Sequence, residues 1–312
     1  MAQTSKRPRI TAEGLQLSFE VSWKRKLDDP IICLTVGKPF LEELNEENDI
    51  LIGTSSGKIL ILNEEKEDTV LDTKSGSIQS IVLYDVTGFN AMDLIVGDSD
   101  GTVTVFSRRQ MLSKRIIGAA ITHLEMYEDA IGGFEIISGG VDGIVTSFHP
   151  HDSRWRCNVG EESARLYTGS ATAGHSPSIR CLLSVKLEDT DGLSISYTLV
   201  CDGWPLLHFL SKGERIMTIS LPAIINTVSF IYSRHENLKI SSFFSVGYPV
   251  TKLLRYRPRG LKNTSPDVLI CAGHRNELKA YHNGMHITTY ETEDWVHDMT
   301  LGDIDADDNE EL

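Results

Sequence analysis

Asp303, Asp305, Asp307 and Glu311 alternate along a short acidic stretch, a spacing that lets one loop turn several carboxylate oxygens toward a single hard cation. Ca²⁺ takes about six to eight oxygen ligands, so these four side chains form the candidate Ca²⁺ site. Asp308 stands where such loops usually turn on glycine, and a solvated turn is the plainer reading. A second charged group has the opposite sign. Arg255, Arg257, Arg259 and Lys262 follow Lys252 on or after a strand-like run bounded by Pro258 and Gly260. Alternation places Arg255 and Arg257 on one face, where a phosphate, a lipid headgroup or an acidic partner segment can dock. A solvated loop is again the plainer alternative.

The remaining chemistry is thin. The ten histidines do not fall at metal-ligand spacing: His149 and His151 are two apart beside Pro150, with no third ligand close in sequence. The nucleophile elbow, the paired-histidine zinc helix, the phosphate-binding loop and the dinucleotide fingerprint do not occur. Gly132-Gly133 and Gly139-Gly140 read as hairpin glycines. No catalytic residue and no cofactor other than the candidate Ca²⁺ is assigned, so the expectation is a protein that is not an enzyme. Groups distant in sequence can still meet in space once the chain folds.

Charge and cysteine usage narrow the partners. The 312 residues carry 44 acids against 30 Lys and Arg, a net charge of −14. Residues 291–312 hold ten of the acids and no Lys or Arg, which leaves −4 for the preceding 290. Nothing in that balance suits duplex nucleic acid or an anionic membrane. Five widely spaced cysteines without a C-x-x-C pair argue against a disulfide framework or a zinc ribbon. Cys33, Cys201 and Cys271 sit in apolar runs as buried free thiols. No leader-like or membrane-spanning apolar run is present, and a cytosolic or nuclear setting follows, with residues 1–14 as a disordered tail.

A repeat supplies the architecture. The segments 49–62, 93–106 and 135–148 superpose without gaps, each running acid, apolar strand, glycine, turn, glycine, alternating strand, large apolar residue. Gly53, Gly97 and Gly139 recur at spacings of 44 and 42, and Gly57, Gly101 and Gly143 repeat the interval four residues later. Each unit is a β-hairpin. With a strand-like run before it and another after it, the period holds four strands, which is the pattern of a propeller blade. The fold class is therefore all-β, a β-propeller of four-stranded blades over 15–312. Repeats fall near 30–74, 78–118, 119–160, 178–221 and 222–290, with a partial one at 295–312. Six or seven blades are expected, the last incomplete, with the alternating stretch 15–23 as an outer strand closing the ring. Trp23, Phe106, Phe148, Phe209 and Phe230 are placed between blades.

The acid, the paired glycines and the loop Asp85–Asp93 before Leu94-Ile95-Val96-Gly97 resemble the FG-GAP repeat of integrin α-subunit propellers. They also resemble its intracellular relatives in the Bardet–Biedl ciliary coat complex and in a lysosomal nutrient-signalling scaffold. The resemblance is good over 30–160 and weak over 178–312, and the WD-repeat dipeptides are not in register. Integrin-type Ca²⁺ loops alternate acids, whereas the 85–93 loop keeps them only at its ends, so Ca²⁺ is not implied for every blade. The resemblance implies a scaffold: a propeller subunit of a cytosolic multiprotein complex of trafficking, ciliary or nutrient-signalling type, cytoplasmic, with protein partners and with membrane association only through them. The alternatives are an enzyme or ligand binder using the central funnel, and a Ca²⁺-dependent extracellular adhesion module.

Overall fold

The repeated glycines are explained by what stands next to them. In the second repeat a Cβ on Gly97 would meet Ile121 Cγ2 at 2.8 Å, so the missing side chain lets the first residue of the following repeat lie flat on the sheet. Four residues later Gly101 turns the hairpin at φ +76°, with the carbonyl oxygen of Gly118 2.1 Å from where a Cβ would be. The backbone N–H of Ile117 then donates to the oxygen of Gly101 at 2.8 Å. One glycine thus packs repeat on repeat, and the other ties the hairpin to the strand that follows.

The computed structural model describes residues 9–11, 14–40, 47–62, 69–129, 132–166, 176–188, 194–229, 245–259, 261–262, 265–307 and 310–312. A short hairpin, β1 (Arg9–Thr11) with β2 (Gly14–Gln16), precedes five four-stranded sheets. The first holds β3 (Ile31–Gly37), β4 (Asp49–Thr54), β5 (Lys58–Leu62) and β6 (Thr69–Asp72). The second holds β7 (Ile78–Tyr84), β8 (Asp93–Asp98), β9 (Thr102–Ser107) and β10 (Gln110–Ile116). β11 (Ile121–Glu128), β12 (Phe134–Gly140), β13 (Ile144–Phe148) and β14 (Ser153–Asn158) make the third. The fourth is β15 (Cys181–Glu188), β16 (Ser194–Cys201), β17 (Leu206–Ser211) and β18 (Glu214–Ser220). The fifth is β19 (Val250–Tyr256), β20 (Val268–Gly273), β21 (Arg275–His282) and β22 (Met285–Glu291). Every sheet is an antiparallel meander in chain order. Burial is deepest in the two middle strands, as in β8 and β9, whose apolar residues are all buried.

The first strand of each meander lies innermost, and one register position on it carries the contacts around the axis. Cys33, Ser80, His123, Cys181 and Lys252 pair across their sheets with Gly53, Gly97, Gly139, Cys201 and Ala272. Each side chain reaches the next inner segment. The Cys33 thiol points at the Ile78 carbonyl, Ser80 Oγ accepts the N–H of Leu124 at 3.0 Å, His123 lies beside the backbone of Ile179, and Cys181 lies beside that of Val228. Lys252 Nζ lies 2.8 Å from Asp298 Oδ1, and Asp298 Oδ2 accepts the N–H of Leu34 on β3 at 3.0 Å. Asp298 therefore closes the circle between the last sheet and the first.

The blade count expected from the sequence is corrected by these sheets: among the described residues five four-stranded blades form, not six or seven. Residues 222–229 and 295–303 lie against inner strands, through Val228 beside the fourth sheet and Gly302 pressed against Val36. Neither is built into a hairpin among the described residues. Among its described residues the stretch 295–312 makes one bridge, Gly302 with Glu311, and Asp303–Asp307 form a bend rather than a strand. Residues 17–30 form no strand either. Leu15, Leu17 and Phe19 pack on the fifth sheet's core, and Phe19 stacks obliquely on Tyr290 with ring centroids 5.8 Å apart. The N-terminal segment thus reaches the last sheet by side-chain packing. Phe106, Phe148 and Phe209 are core residues, Trp23 is 43% exposed, and Phe230 lies outside the described residues. The five cysteines are free thiols, four of them buried; burial pushes Cys33 up to about 12.

Candidate functional site: an apolar cleft between the second and third sheets

Three local devices converge between the second and third sheets. The first is the loop from Asp85 to Asp93. Asp85 accepts the backbone N–H groups of Gly88, Phe89 and Asn90 at 2.7–3.1 Å. Asp93 Oδ2 accepts those of Val86 and Thr87 and the Thr87 hydroxyl at 2.9–3.0 Å. The two end acids of the loop therefore bind backbone donors of their own loop. Held this way, Phe89 stands 61% exposed at the loop tip, and fixing an apolar ring in water is a cost that a partner's surface would recover.

The second device is the hairpin turn joining β9 to β10. Arg108 and Arg109 both have positive φ, 48° and 61°, the geometry of a two-residue type I′ turn that usually takes Asn-Gly. The fourth and fifth sheets follow that preference with Lys212-Gly213 and Asn283-Gly284. Two arginines in left-handed backbone are strained by about 1 kcal/mol each. Arg109→Gly is accordingly expected to stabilise the chain by about 1 kcal/mol, read as a higher urea midpoint at constant m-value. The strain holds the Arg108 guanidinium 4.9 Å over the Phe89 ring, a cation–π contact.

The third device is a β-bulge. β10 slips register against β9 between Met111 and Ser113, which leaves Leu112 as the extra residue, and a bulge re-aims the side chain it carries. Leu112 joins Phe89, Phe134, His149, Pro150 and His151 in lining an open cleft of about 390 Å³. Tyr84, Phe134 and His149 form a ladder with centroids 5.2 and 4.9 Å apart, of which Phe134 and His149 line the cleft. Arg115 donates to the His149 carbonyl at 3.3 Å and to Ser153, and Arg154 lies 3.3 Å from the His149 ring. Asp152 is the one acid in the lining.

The residues singled out from the sequence lie elsewhere. Arg255, on β19, and Arg257, one residue past its end, both bond the carboxylate of Asp267, which is 2% exposed. Arg257 also donates to the carbonyl oxygens of Lys262 at 2.9 Å and Ser265 at 3.4 Å. The two guanidinium groups are thus partly neutralised from within, while Arg259 and Lys262 follow on the loop. Asp303, Asp305 and Glu311 converge with one oxygen of each within 4.8 Å of the others, and could hold one hard cation through those oxygens. Three backbone N–H bonds already engage the cluster: Asp307 donates to Asp303 and Asp305, and Ile304 donates to Glu311 at 2.8 Å. Partial burial and the three neighbouring aspartates raise Glu311 above the usual carboxylate range. Asp307 enters the cluster through its backbone.

The serine–histidine contact Ser163 Oγ to His208 Nε2, 2.9 Å, is fully buried; His208 Nδ1 meets Thr218, and Asp202 Oδ1 accepts the backbone N–H of Trp204 at 2.9 Å rather than bonding the histidine. That network anchors the single described helix, α1 (Val159–Leu166), to the fourth sheet. β14 ends at Asn158, which caps α1 by accepting the N–H of Glu161 at 3.0 Å. The Asn-x-x-Glu capping pair is the signal for that helix start.

Five four-stranded meanders arranged around one axis define a β-propeller. No protein-family model matches the chain, and no curated protein sequence matches it. Two solved structures similar to it are crystals of BBS1N in complex with ARL6DN. The lead-soaked crystal superposes with a TM-score of 0.63 at 13% identity, covering 88% of this chain and 86% of that chain. The mercury-soaked crystal gives 0.50 at 14%, over 95% and 77%. At such identities the likeness is one of fold. No described helix is long and apolar enough to cross a membrane.

Proposed function

We propose that this propeller is a non-enzymatic interaction platform, a subunit of a cytosolic multiprotein complex of the trafficking, ciliary or nutrient-signalling type, with FG-GAP repeats as its ancestry. The observation that carries the reading is the cleft beside β10: an exposed aromatic ring held by two carboxylates, a strained arginine pair and a bulged leucine are combined at one surface position. Natural chains keep strain and exposed apolar groups together where a partner uses them. The fold likeness to BBS1N, a propeller crystallised with ARL6DN, supports the same reading. The Ser163–His208 pair, buried within the fourth sheet, offers no reacting surface to a substrate.

The test is co-purification of the tagged chain from cell extract, with sizing, beside a Phe89→Asp variant whose fold is checked by circular dichroism. At least one stoichiometric partner is expected with the parent chain and lost with the variant. A chain that elutes alone in both forms refutes the platform reading.

A further inference from the structure

We infer that Cys181 and Cys201, on the two inner strands of the fourth sheet, form a dithiol that a peroxide converts reversibly into a cross-strand disulfide. The inference is independent of the platform reading. Its geometry follows from register, since Cys181 on β15 pairs directly with Cys201 on β16. Directly opposed residues of an antiparallel pair share a face and hold their Cα atoms about 4.5–5.5 Å apart, inside the roughly 4.4–6.8 Å that a disulfide spans. The two thiols also lie close enough to act on each other electrostatically.

The other cysteines have no such neighbour in register. Cys33 pairs with Gly53, Cys157 with Val145, and Cys271 with Leu253 and Lys279. At the position of Cys201 the first three sheets carry Gly53, Gly97 and Gly139, and the fifth carries Ala272. The fourth sheet alone sets a reactive group there, opposite a second one.

Cys181 is 6% exposed and Cys201 is sealed, so a small oxidant reaches Cys181 first. The Cys181 thiolate attacks one peroxide oxygen, the O–O bond breaks, and the departing hydroxide takes up a proton as water, leaving a sulfenic acid. The Cys201 sulfur then displaces the sulfenic hydroxyl, which leaves as a second water while the S–S bond forms. Two thiols thus give up two electrons and two protons, and one peroxide becomes two waters. The thiolate is the reacting form. Burial pushes Cys181 up to about 11 and Cys201 higher still, so the pair reacts slowly near neutrality and faster as pH rises.

Closure draws the Cys181 sulfur off the Val228 backbone beside it. The segment 222–229 bridges two sheets at that point: Arg180 donates to Asn226 Oδ1 at 2.9 Å, and Asn226 Nδ2 donates to the Val250 carbonyl at 3.3 Å. The bond therefore acts on the joint between the fourth and fifth sheets. In a reducing compartment such a bond is transient and registers oxidant rather than stapling the fold.

The experiment treats the full chain, without denaturant, with millimolar hydrogen peroxide, then blocks free thiols, unfolds the protein and maps its peptides by mass spectrometry. Free thiols are expected to fall from five to three, with the peptides of Cys181 and Cys201 joined, and dithiothreitol should restore all five. The rate should rise about tenfold per pH unit between about pH 7 and 9. In Cys201→Ser the sulfenic acid of Cys181 has no resolving thiol, so its labelling by dimedone should exceed that of the parent at least about threefold. Five thiols retained, a bond joining any other pair, or a bond that forms only above the urea unfolding midpoint would each overturn the inference.

Discussion

Asp267→Ala is expected to lower the unfolding free energy by about 3 kcal/mol in urea titration, while Arg257→Ala lowers it by about 1 kcal/mol. The asymmetry follows from burial. The Asp267 carboxylate is 2% exposed and is the shared acceptor for Arg255 and Arg257, which are 39% and 34% exposed. Removing one arginine leaves the carboxylate its other partner, and the lost head group was already partly solvated. Removing the carboxylate strips both guanidinium groups of their acceptor just before β20, at a point where the Arg257 side chain also donates to the carbonyl oxygens of Lys262 and Ser265. Equal effects of the two substitutions would show that the triad is a surface feature whose charges water satisfies as well as Asp267 does. The same variant bears on docking: only when Asp267 is removed do the arginines of β19 become a net doubly positive patch, so any gain of anion binding in Asp267→Ala measures what the buried acid suppresses in the native chain.

The part of the fold visible in the sequence is the part written in backbone conformation. Gly97 and Gly101 cannot carry side chains, for reasons of contact and of φ, and their counterparts mark three sheets directly. The fourth sheet has Cys201 at the equivalent pairing position, so the repeat fades there although the meander persists. The blade count fails for a related reason. Apolar runs near 226 and 296 have inner-strand composition, and Val228 and Asp298 do reach inner positions. Composition does not say whether a hairpin follows.

The cleft is not legible in the sequence because its lining is gathered from four separate stretches and because a bulge at Leu112 and a pair of left-handed arginines leave no local pattern. The loop Asp85–Asp93 is visible as a motif, but the role of its acids is not. Aspartates that bind a cation and aspartates that bind their own loop's N–H groups occupy the same spacing. The arginines of β19 are visible as charge, and their neutralisation depends on Asp267, ten or more residues away and buried by the hairpin.

Glu125→Gln is expected to stabilise the chain by about 2 kcal/mol at pH 8 and by nothing near pH 4. Glu125 lies on β11 between the third and fourth sheets, where burial raises its carboxyl to about 7 against one opposing hydrogen bond, the Ser184 N–H at 3.3 Å. The folded chain therefore holds a proton that the unfolded chain has released, and stability falls as pH rises from about 4.5 to about 7. That rise from 4.5 to about 7 corresponds to roughly 3 kcal/mol, reduced because the residue keeps some contact with solvent. His123 and His208 tilt the profile the other way. Burial lowers both to about 4, so their contribution is complete above about 6.5 and is lost as pH falls toward 4. The Lys252 charge further lowers His123, and Asp298 opposes it. In the parent chain one carboxyl and two imidazoles partly cancel between pH 4.5 and 6.5; the glutamine variant removes the carboxyl's share and should show a steeper rise of stability with pH. Urea midpoints at pH 4.5, 6 and 8 for both proteins measure the difference. A Glu125→Gln effect that is constant across the three pH values would mean that Glu125 titrates as in water, and that the inner face between the third and fourth sheets is hydrated rather than sealed.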